Sequence, residues 1–316
     1  MQPSLVPFTQ DHLDAALDLF VETYRQEREH SPLLPSRAID DPHWLREAIR
    51  SSLANPGVAA VYQGQLLAYM ATGATFRWKR LRAALVPEYC HAAVVSNKHA
   101  LYQLMYQGLA EDWAHNHIQL HTIGHFAHDS VIRETLYELG FGALIAERLR
   151  DLSDVCHRPD IEINATQDVD DLVDLDIEHS RYYAQSPIFV SKATEESEVR
   201  ATLAAQVEQG DVFFVHYENQ RACAYMTVGE SAVGGEGFLL QNTRTAQIKS
   251  AYVQPRHRGT GIGTALLQRT ISWSRQRGCE RQFVEHETAN ILGGNLWRRH
   301  FTPYLYFSMR YIDATI

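Results

Sequence analysis

The chain has 316 residues, of which 45% are hydrophobic and 21% are charged, as in a soluble globular protein. This length exceeds what one ordinary hydrophobic core organises, so two domains are expected. The 29 Lys and Arg residues against 38 Asp and Glu give a formal net charge of −9. Such a balance argues against a nucleic-acid partner, because nucleic-acid binders are usually basic, but it leaves a cationic substrate open.

Cysteine usage and hydropathy indicate the compartment. The cysteines are scattered and form no CxxC pair, which predicts reduced thiols rather than zinc or redox chemistry; they are Cys90, Cys156, Cys223 and Cys279. The first residues do not match a secretory signal, and no apolar run approaches ~18 residues. We therefore expect a cytoplasmic protein with no membrane partner.

In the first half, hydrophobic periodicity and turn residues predict an alternation of helices and strands. The predicted helices cover residues 13–24, 44–53, 99–115 and 129–139. The predicted strands cover residues 58–62, 66–72, 81–95 and 117–123.

The second half repeats this order and some of the residues. Residues 166–168 repeat the Thr-Gln-Asp of residues 9–11 at a separation of 157, and residues 224–226 repeat the Ala-Tyr-Met of residues 68–70 at a separation of 156. Matches in the same order at nearly constant separation indicate an internal duplication. We predict a mixed α/β fold with two tandem domains, over residues 1–155 and 156–316.

The second half also contains a basic, glycine-rich turn between a predicted strand and a predicted helix. It reads Arg256-His257-Arg258-Gly259-Thr260-Gly261-Ile262-Gly263. Glycines at a helix N-terminus expose backbone N–H groups and the positive end of the helix dipole, which favours a phosphate ligand. A phosphate-binding P-loop would need a lysine where Thr264 stands, and a dinucleotide fingerprint would need a wider glycine spacing.

The R-x-x-G-x-G spacing of Arg258 to Gly263 resembles the acetyl-CoA signature of the GCN5-related N-acetyltransferases (GNAT), as does the element order of each half. The resemblance implies acetyl-CoA as cosubstrate and transfer of acetyl to a primary amine of a small molecule or a peptide, in a monomer or homodimer. It implies cofactor contacts from Tyr252, Val253, Arg258, Gly259, Thr260, Gly261, Ile262, Gly263, Thr264 and Asn290. The first half has Val94 to Ala100 at the corresponding place, without glycine, so we expect a degenerate copy there.

The catalytic groups follow the family pattern less closely. The position of the family's tyrosine acid holds Trp297, which cannot supply that proton at neutral pH, so Tyr304 and Tyr306 are the candidate substitutes. At the end of the preceding strand, Glu285 is the candidate base, with Glu287 on the same face. The alternative function is a non-catalytic acetyl-CoA-binding sensor or partner-binding protein, and another phosphate ligand is a third possibility.

Two further expectations concern metals and the acceptor. Five histidines cluster in sequence between His115 and His128, but His117 and His121 on one extended strand would stand about 13 Å apart. They could not share one zinc, whose ligands lie ~2 Å from the ion, so no metal site is expected. The acceptor pocket is expected to be formed by the loops over 27–43, 183–195 and 229–244.

Overall fold

The computed structural model describes residues 3–231, 237–313 and 315. Residues 232–236 of the predicted 229–244 loop lie outside the described residues. The contacts divide the chain into two compact units, Met1–Ala146 with Pro303–Ile316, and Glu147–Thr302. No helix among the described residues is long and apolar enough to cross a membrane.

The first unit alternates helices and strands as its sequence pattern predicts. Its helices are α1 (Leu13–His30), α2 (Arg37–Asp40), α3 (His43–Ser51), α4 (Lys98–His115) and α5 (Ser130–Glu138). Its strands are β1 (Ser4–Pro7), β2 (Gly57–Tyr62), β3 (Gln65–Ala71), β4 (Ala74–Trp78), β5 (Leu81–Val86), β6 (His91–Ala93) and β7 (Leu120–Phe126). The predicted strand region over 81–95 is two strands, β5 and β6, separated by a turn of 3-10 helix over Glu88–Cys90.

The C-terminal strand β14 (Thr302–Tyr311) completes the sheet of the first unit. It pairs antiparallel with β7, from Leu305 opposite Phe126 to Tyr311 opposite Leu120. The units therefore differ from the expected domains, because residues 303–316 belong with the first unit and residues 147–155 with the second. The alternating hydrophobicity of β14 does not specify which strand it pairs with. From its position in the sequence, we had expected β14 to belong to the second domain.

The clustered histidines of the first unit have separate partners. His121 Nδ1 lies 2.9 Å from the Tyr106 hydroxyl, His125 Nε2 lies 3.1 Å from Ser308 Oγ, and His128 Nδ1 lies 2.8 Å from Glu27 Oε1. Burial lowers the pKa of His121 and of His125 to about 4, so both rings are neutral near pH 7. Within the described ranges, no group of three His, Cys, Asp or Glu residues is placed to hold a metal.

The second unit repeats the same order of elements. Its helices are α6 (Asp170–Tyr183), α7 (Glu196–Glu208), α8 (Ile262–Gln276) and α9 (Ile291–His300). Its strands are β9 (Asn164–Thr166), β10 (Val212–Glu218), β11 (Arg221–Glu230), β12 (Thr245–Val253) and β13 (Arg281–Glu287), in the order β13-β12-β11-β10-β9 across the sheet. Strand β8 (Gly142–Arg150) precedes this unit in the chain and ends within it.

Alternation along the strands of the second unit sends side chains to two separate cores. On β10, Phe213 and Val215 pack with the apolar residues of α6 and α7, while Phe214 packs with those of α8. On β11, Tyr225 joins the first of these cores and Met226 the second. The period of two in the sequence therefore places α8 on one face of the sheet and α6 and α7 on the other.

Candidate functional site

The neighbouring strands β12 and β13 pair for only part of their length. Thr245 to Ile248 pair in parallel with Arg281 to Val284, and no further pairing between these two strands continues to their ends at Val253 and Glu287. On its other side β12 stays paired with β11 as far as Val253, with a register shift opposite Thr227 and Val228. Beyond Ile248 the backbone of β12 is therefore not paired with β13, and a cavity begins at this point. We call these unpaired ends of β12 and β13 the released ends.

The cavity measures about 490 Å³, within the usual range for small-molecule sites. Its wall consists of the released parts of β12 and β13, the start of α8, the start of α9 and the end of α6. All of these elements belong to the second unit.

The glycine turn forms the entry into α8. Gly259 has φ of +77° and Gly261, the N-cap of α8, has φ of +97°, so both adopt the left-handed conformation that favours glycine. The carbonyl of Gly261 accepts the first helical hydrogen bonds, from the N–H groups of Thr264 and Ala265. The amides that precede these two lie at the positive end of the helix, as an anion site requires.

Arg258 connects the turn to the end of β12. Its Nε donates a hydrogen bond of 2.9 Å to the carbonyl of Val253, and its guanidinium lies 4.9 Å from the ring centroid of Tyr182 and 5.5 Å from that of Tyr252. The family resemblance implies a cofactor contact from Arg258. In the structure its side chain joins the turn to the end of the strand.

Replacing Arg258 with Ala is expected to weaken acetyl-CoA binding about tenfold, because one charge-assisted hydrogen bond that orders the turn is lost. The measurement is the dissociation constant by calorimetric titration. Arg256→Ala is the matched control, since the Arg256 side chain is 66% exposed and reaches Glu218 only at 3.8 Å. Equal losses in both variants would show that general positive charge, rather than the position of the turn, holds the cosubstrate.

Asn290 is the N-cap of α9. Its Oδ1 accepts hydrogen bonds from the N–H of Gly293 at 3.0 Å and from the Tyr182 hydroxyl at 3.1 Å. A side chain at position 293 would bring its Cβ within 2.9 Å of Asn290 Nδ2, so glycine is required there for the cap to form. The cap thus ties α9 to α6 at the edge of the cavity.

The structure gathers most of the predicted cofactor residues around this cavity. The lining includes Tyr252, Val253, Arg258, Gly259, Gly261, Ile262, Gly263, Thr264 and Asn290. Thr260 is not among the lining residues; it is exposed, and its hydroxyl donates to the carbonyl of His257 at 2.7 Å.

Of the predicted catalytic residues, Glu285 lines the cavity on the released end of β13. The next residue, His286, accepts a hydrogen bond from Arg148 Nε at 2.9 Å and its Nδ1 lies 2.9 Å from the Glu287 carbonyl. Both ring nitrogens of His286 are therefore engaged. Burial lowers its pKa, and the imidazole is neutral near pH 7.

The structure does not support Tyr304 as the proton donor. Tyr304 is 1% exposed, belongs to the first unit and is not one of the residues that line the cavity. The aromatic alternation that predicted strand β14 also explains its burial, since inward residues of a strand pack into a core. Trp297, at the position of the family's acid, does line the cavity and is 5% exposed against Phe301.

Sequence reasoning missed a buried polar network on the cavity wall, centred on His179 of α6. His179 Nδ1 lies 3.0 Å from the Tyr225 hydroxyl, which also contacts Asp176 and lies 2.8 Å from Ser250 Oγ. The imidazole stacks on Tyr252 with centroids 5.1 Å apart. Burial is the main cause of its lowered pKa, so the ring is neutral near pH 7.

One signal of this network was present in the sequence. Tyr225 is the centre of the repeated Ala-Tyr-Met triplet, whose counterpart in the first unit is Tyr69. The two tyrosines have different partners, because the Tyr69 hydroxyl donates to the carbonyl of Tyr89 at 2.8 Å. The triplet thus marks a shared fold position, and only the second copy connects it to a histidine and a carboxylate.

The matching place in the first unit is occupied by an ion pair. Helix α4 begins after Asn97, and Lys98 Nζ lies 2.7 Å from Asp129 Oδ2, with both side chains buried. Asp129 also caps α5 through the N–H of Ile132, as Asn290 caps α9 through that of Gly293. The first unit thus has a lysine and a carboxylate where the second unit has the glycine turn and Asn290.

Comparison with known proteins shows which family and which solved structures the chain is similar to. The model of the acetyltransferase (GNAT) family matches residues 177–301. A GCN5-related N-acetyltransferase from Sphaerobacter thermophilus is similar in structure, with a TM-score of 0.59 and 14% identity over 98% of this chain and 95% of that one. So is the GCN5-related glucosamine N-acetyltransferase region of a fungal multi-domain GH3 β-N-acetylglucosaminidase, with a TM-score of 0.59 and 13% identity over 98% of this chain and 38% of that one.

No curated protein sequence matches the chain. The structural similarity extends over nearly the whole chain, so both units share the acyltransferase fold. The family match covers the part that contains the glycine turn, the cavity and the cap at Asn290. The chain thus has a fold similar to that of GCN5-related N-acetyltransferases, and its residues 177–301 match the model of the acetyltransferase (GNAT) family.

Proposed function

We propose that the second unit is an acetyl-CoA-dependent N-acetyltransferase that acylates a primary amine of a small molecule or a peptide. The observation that carries the proposal is the position of the glycine turn at one side of a cavity that also receives the released backbone of β12. The glycine turn is suited to bind phosphate groups. An extended chain that contains amides can pair with the backbone of β12.

The residues present fit such a cosubstrate. Gly259 and Gly261 carry no side chain over the turn, and nothing lies within 4 Å of the place where a Cβ would stand on Gly259. A pyrophosphate could therefore approach the amides at the start of α8 without a steric barrier. The stretch of β12 beyond Ile248 offers backbone donors and acceptors that β13 does not use.

Acetyl-CoA would supply an acyl thioester, and this chain's residues would prepare the amine. An alkyl ammonium has a pKa near ~10, so a base must take its proton before attack. Glu285 is the proposed proton acceptor, because it lies on the released end of β13 within the cavity wall. A backbone N–H of β12 beyond Ile248 is the proposed donor to the developing oxyanion.

The lining of the cavity is suited to a cationic acceptor. Tyr182, Tyr183 and Tyr252 present aromatic rings there, and Glu285 contributes a carboxylate. Ring faces attract ammonium groups, and a carboxylate adds a favourable charge. These features support an amine rather than an alcohol or a thiol as acceptor.

A second candidate function rests on Trp297. This buried indole occupies the position of the expected acid and donates no proton to a departing thiolate. A site that binds acetyl-CoA without turnover would serve as a sensor or a partner-binding module. We favour the enzyme, because a thiol with a pKa near ~8.5 leaves as thiolate with little assistance.

The experiment that tests the proposal has two stages. Thermal melting of the full chain with acetyl-CoA, coenzyme A and inorganic pyrophosphate measures which ligand stabilises the fold. Release of free thiol from acetyl-CoA is then followed in the presence of a panel of small and peptide amines. Binding with amine-dependent release supports the enzyme, binding without release supports the sensor, and stabilisation by pyrophosphate alone supports a different phosphate ligand.

A further inference from the structure

The chain has four lysines, Lys79, Lys98, Lys192 and Lys249, and two of them line the cavity. The amine of Lys249 is held in an ion pair, since its Nζ lies 2.8 Å from a carboxylate oxygen of Asp211, which is 1% exposed. Lys192 is held differently. Its Nζ lies 3.5 Å from the centroid of the Tyr183 ring.

Tyr183 connects the Lys192 amine to the reactive part of the cavity. The ring is 7% exposed, and the edge of His179 contacts it at a centroid separation of 5.0 Å. Its hydroxyl interacts with Glu287 and with Asn290, and burial followed by the Glu287 charge raises the pKa of this phenol. The amine of Lys192 thus lies against the aromatic wall proposed for the acceptor ammonium.

The contact that holds this amine is weak enough to be broken during a reaction. A cation–π contact at an exposed site is worth about 0.5–1 kcal/mol. Lys192 lies in the connection between α6 and α7, and it is an exposed residue that lines the cavity. A side chain of four methylenes on such a connection can leave the ring at little cost.

We propose that Lys192 is itself an acyl acceptor of this site, modified on Nζ by the thioester bound at the glycine turn. The inference rests on the proposed function. It adds a modification site within the same chain. It also assigns the class of acceptor that binds beside Tyr183, a primary amine like that of lysine.

The step balances without any redox partner. Glu285 is the base proposed for a free amine, whereas for this internal amine the proton acceptor is His179, which contacts Tyr183. The Lys192 ammonium loses one proton to the His179 imidazole, and the neutral nitrogen attacks the thioester carbonyl carbon. The new C–N bond forms as the C–S bond breaks, the second nitrogen proton passes to the departing thiolate, and His179 returns its proton to water. Burial lowers the pKa of His179 and keeps the ring neutral, and the Lys192 amine and the His179 ring both contact Tyr183.

The test is acetylation of the purified full chain by acetyl-CoA, followed over time by peptide mass mapping of the lysines. Lys79 is the matched internal control, because it is exposed and its Nζ also lies over an aromatic ring, 5.8 Å from Trp78, in the first unit. We expect Lys192 to gain one acetyl group at least about tenfold faster than Lys79, since a positioned amine reacts at a high effective concentration. The rate should not change on dilution of the protein at a fixed acetyl-CoA concentration.

Two variants sharpen the result. Lys192→Arg keeps the charge but should remove the modification, and His179→Gln should slow it while acetyl-CoA still raises the melting temperature. Equal labelling of Lys192 and Lys79 would show unassisted solution chemistry and overturn the inference. If the protein binds acetyl-CoA but Lys192 remains unmodified, the inference about Lys192 is overturned and the proposed function is not. If acetyl-CoA does not bind, the proposed function is overturned as well.

Discussion

Replacing Gly261 with Asp is expected to reduce the affinity for acetyl-CoA on the order of a hundredfold or more, because a like charge placed against phosphates costs several kcal/mol. Gly261 caps α8 with φ of +97°, so any side chain there also adopts a strained backbone conformation. Its Cβ would meet Arg158 at 3.4 Å, which is ordinary contact, so the fold itself should accommodate the substitution.

The control for this prediction is Gly278→Asp, beyond the other end of the same helix. Gly278 also has a positive φ, +72°, and a Cβ there would meet nothing within 4 Å. Both variants therefore introduce the same charge and a similar backbone strain, but Gly278 does not line the cavity. Calorimetric titration with acetyl-CoA should separate them, and an equal loss of affinity in the two proteins would remove the phosphate assignment from the turn.

Replacing Glu285 with Gln is expected to lower kcat about a hundredfold or more, with acetyl-CoA affinity unchanged, because general-base catalysis contributes roughly 10²–10⁴-fold. The amide keeps the shape of the side chain and cannot accept the ammonium proton. The measurement is thiol release with the best amine of the panel, at saturating acetyl-CoA and varied amine. A pH profile of the variant should show whether the missing rate returns at high pH, where more of the amine is already neutral.

The matched control is Glu280→Gln, just before the start of the same strand. Glu280 forms surface ion pairs with Arg244 and Arg281 and does not line the cavity, so its loss should leave kcat nearly unchanged. His179→Gln provides the comparison within the site. If Glu285→Gln turns over normally and His179→Gln does not, the proton acceptor is His179 and the assignment of Glu285 is wrong.

The two copies differ at one place, around the starts of α8 and α9 and of their counterparts α4 and α5. In the second unit, glycines at the start of α8 and Asn290 at the start of α9 leave room for a ligand. In the first unit, the buried pair of Lys98 and Asp129 occupies the corresponding place. Breaking such a pair would leave an uncompensated charge, which supports the proposal that this copy has a structural role.

The sequence by itself determined the features whose signals are local. The spacing of glycines between a strand and a helix predicted a tight turn with positive φ at the start of α8, because backbone conformation depends on neighbouring residues. Hydrophobic periodicity likewise determined most helices and strands, and the repeated triplets revealed the duplication. The cap of α9 by Asn290 is likewise a local contact, because it depends on the N–H of Gly293 three residues later.

Only the tertiary structure decided the contacts between residues far apart in sequence. It buried Tyr304 in the first unit through the pairing of β14 with β7, and it joined His179 to Tyr225 and Ser250. It also placed Lys192 over Tyr183 within the cavity. Strand partners and buried polar networks are selected by the packing of the whole domain, so the pattern within any one segment does not specify them.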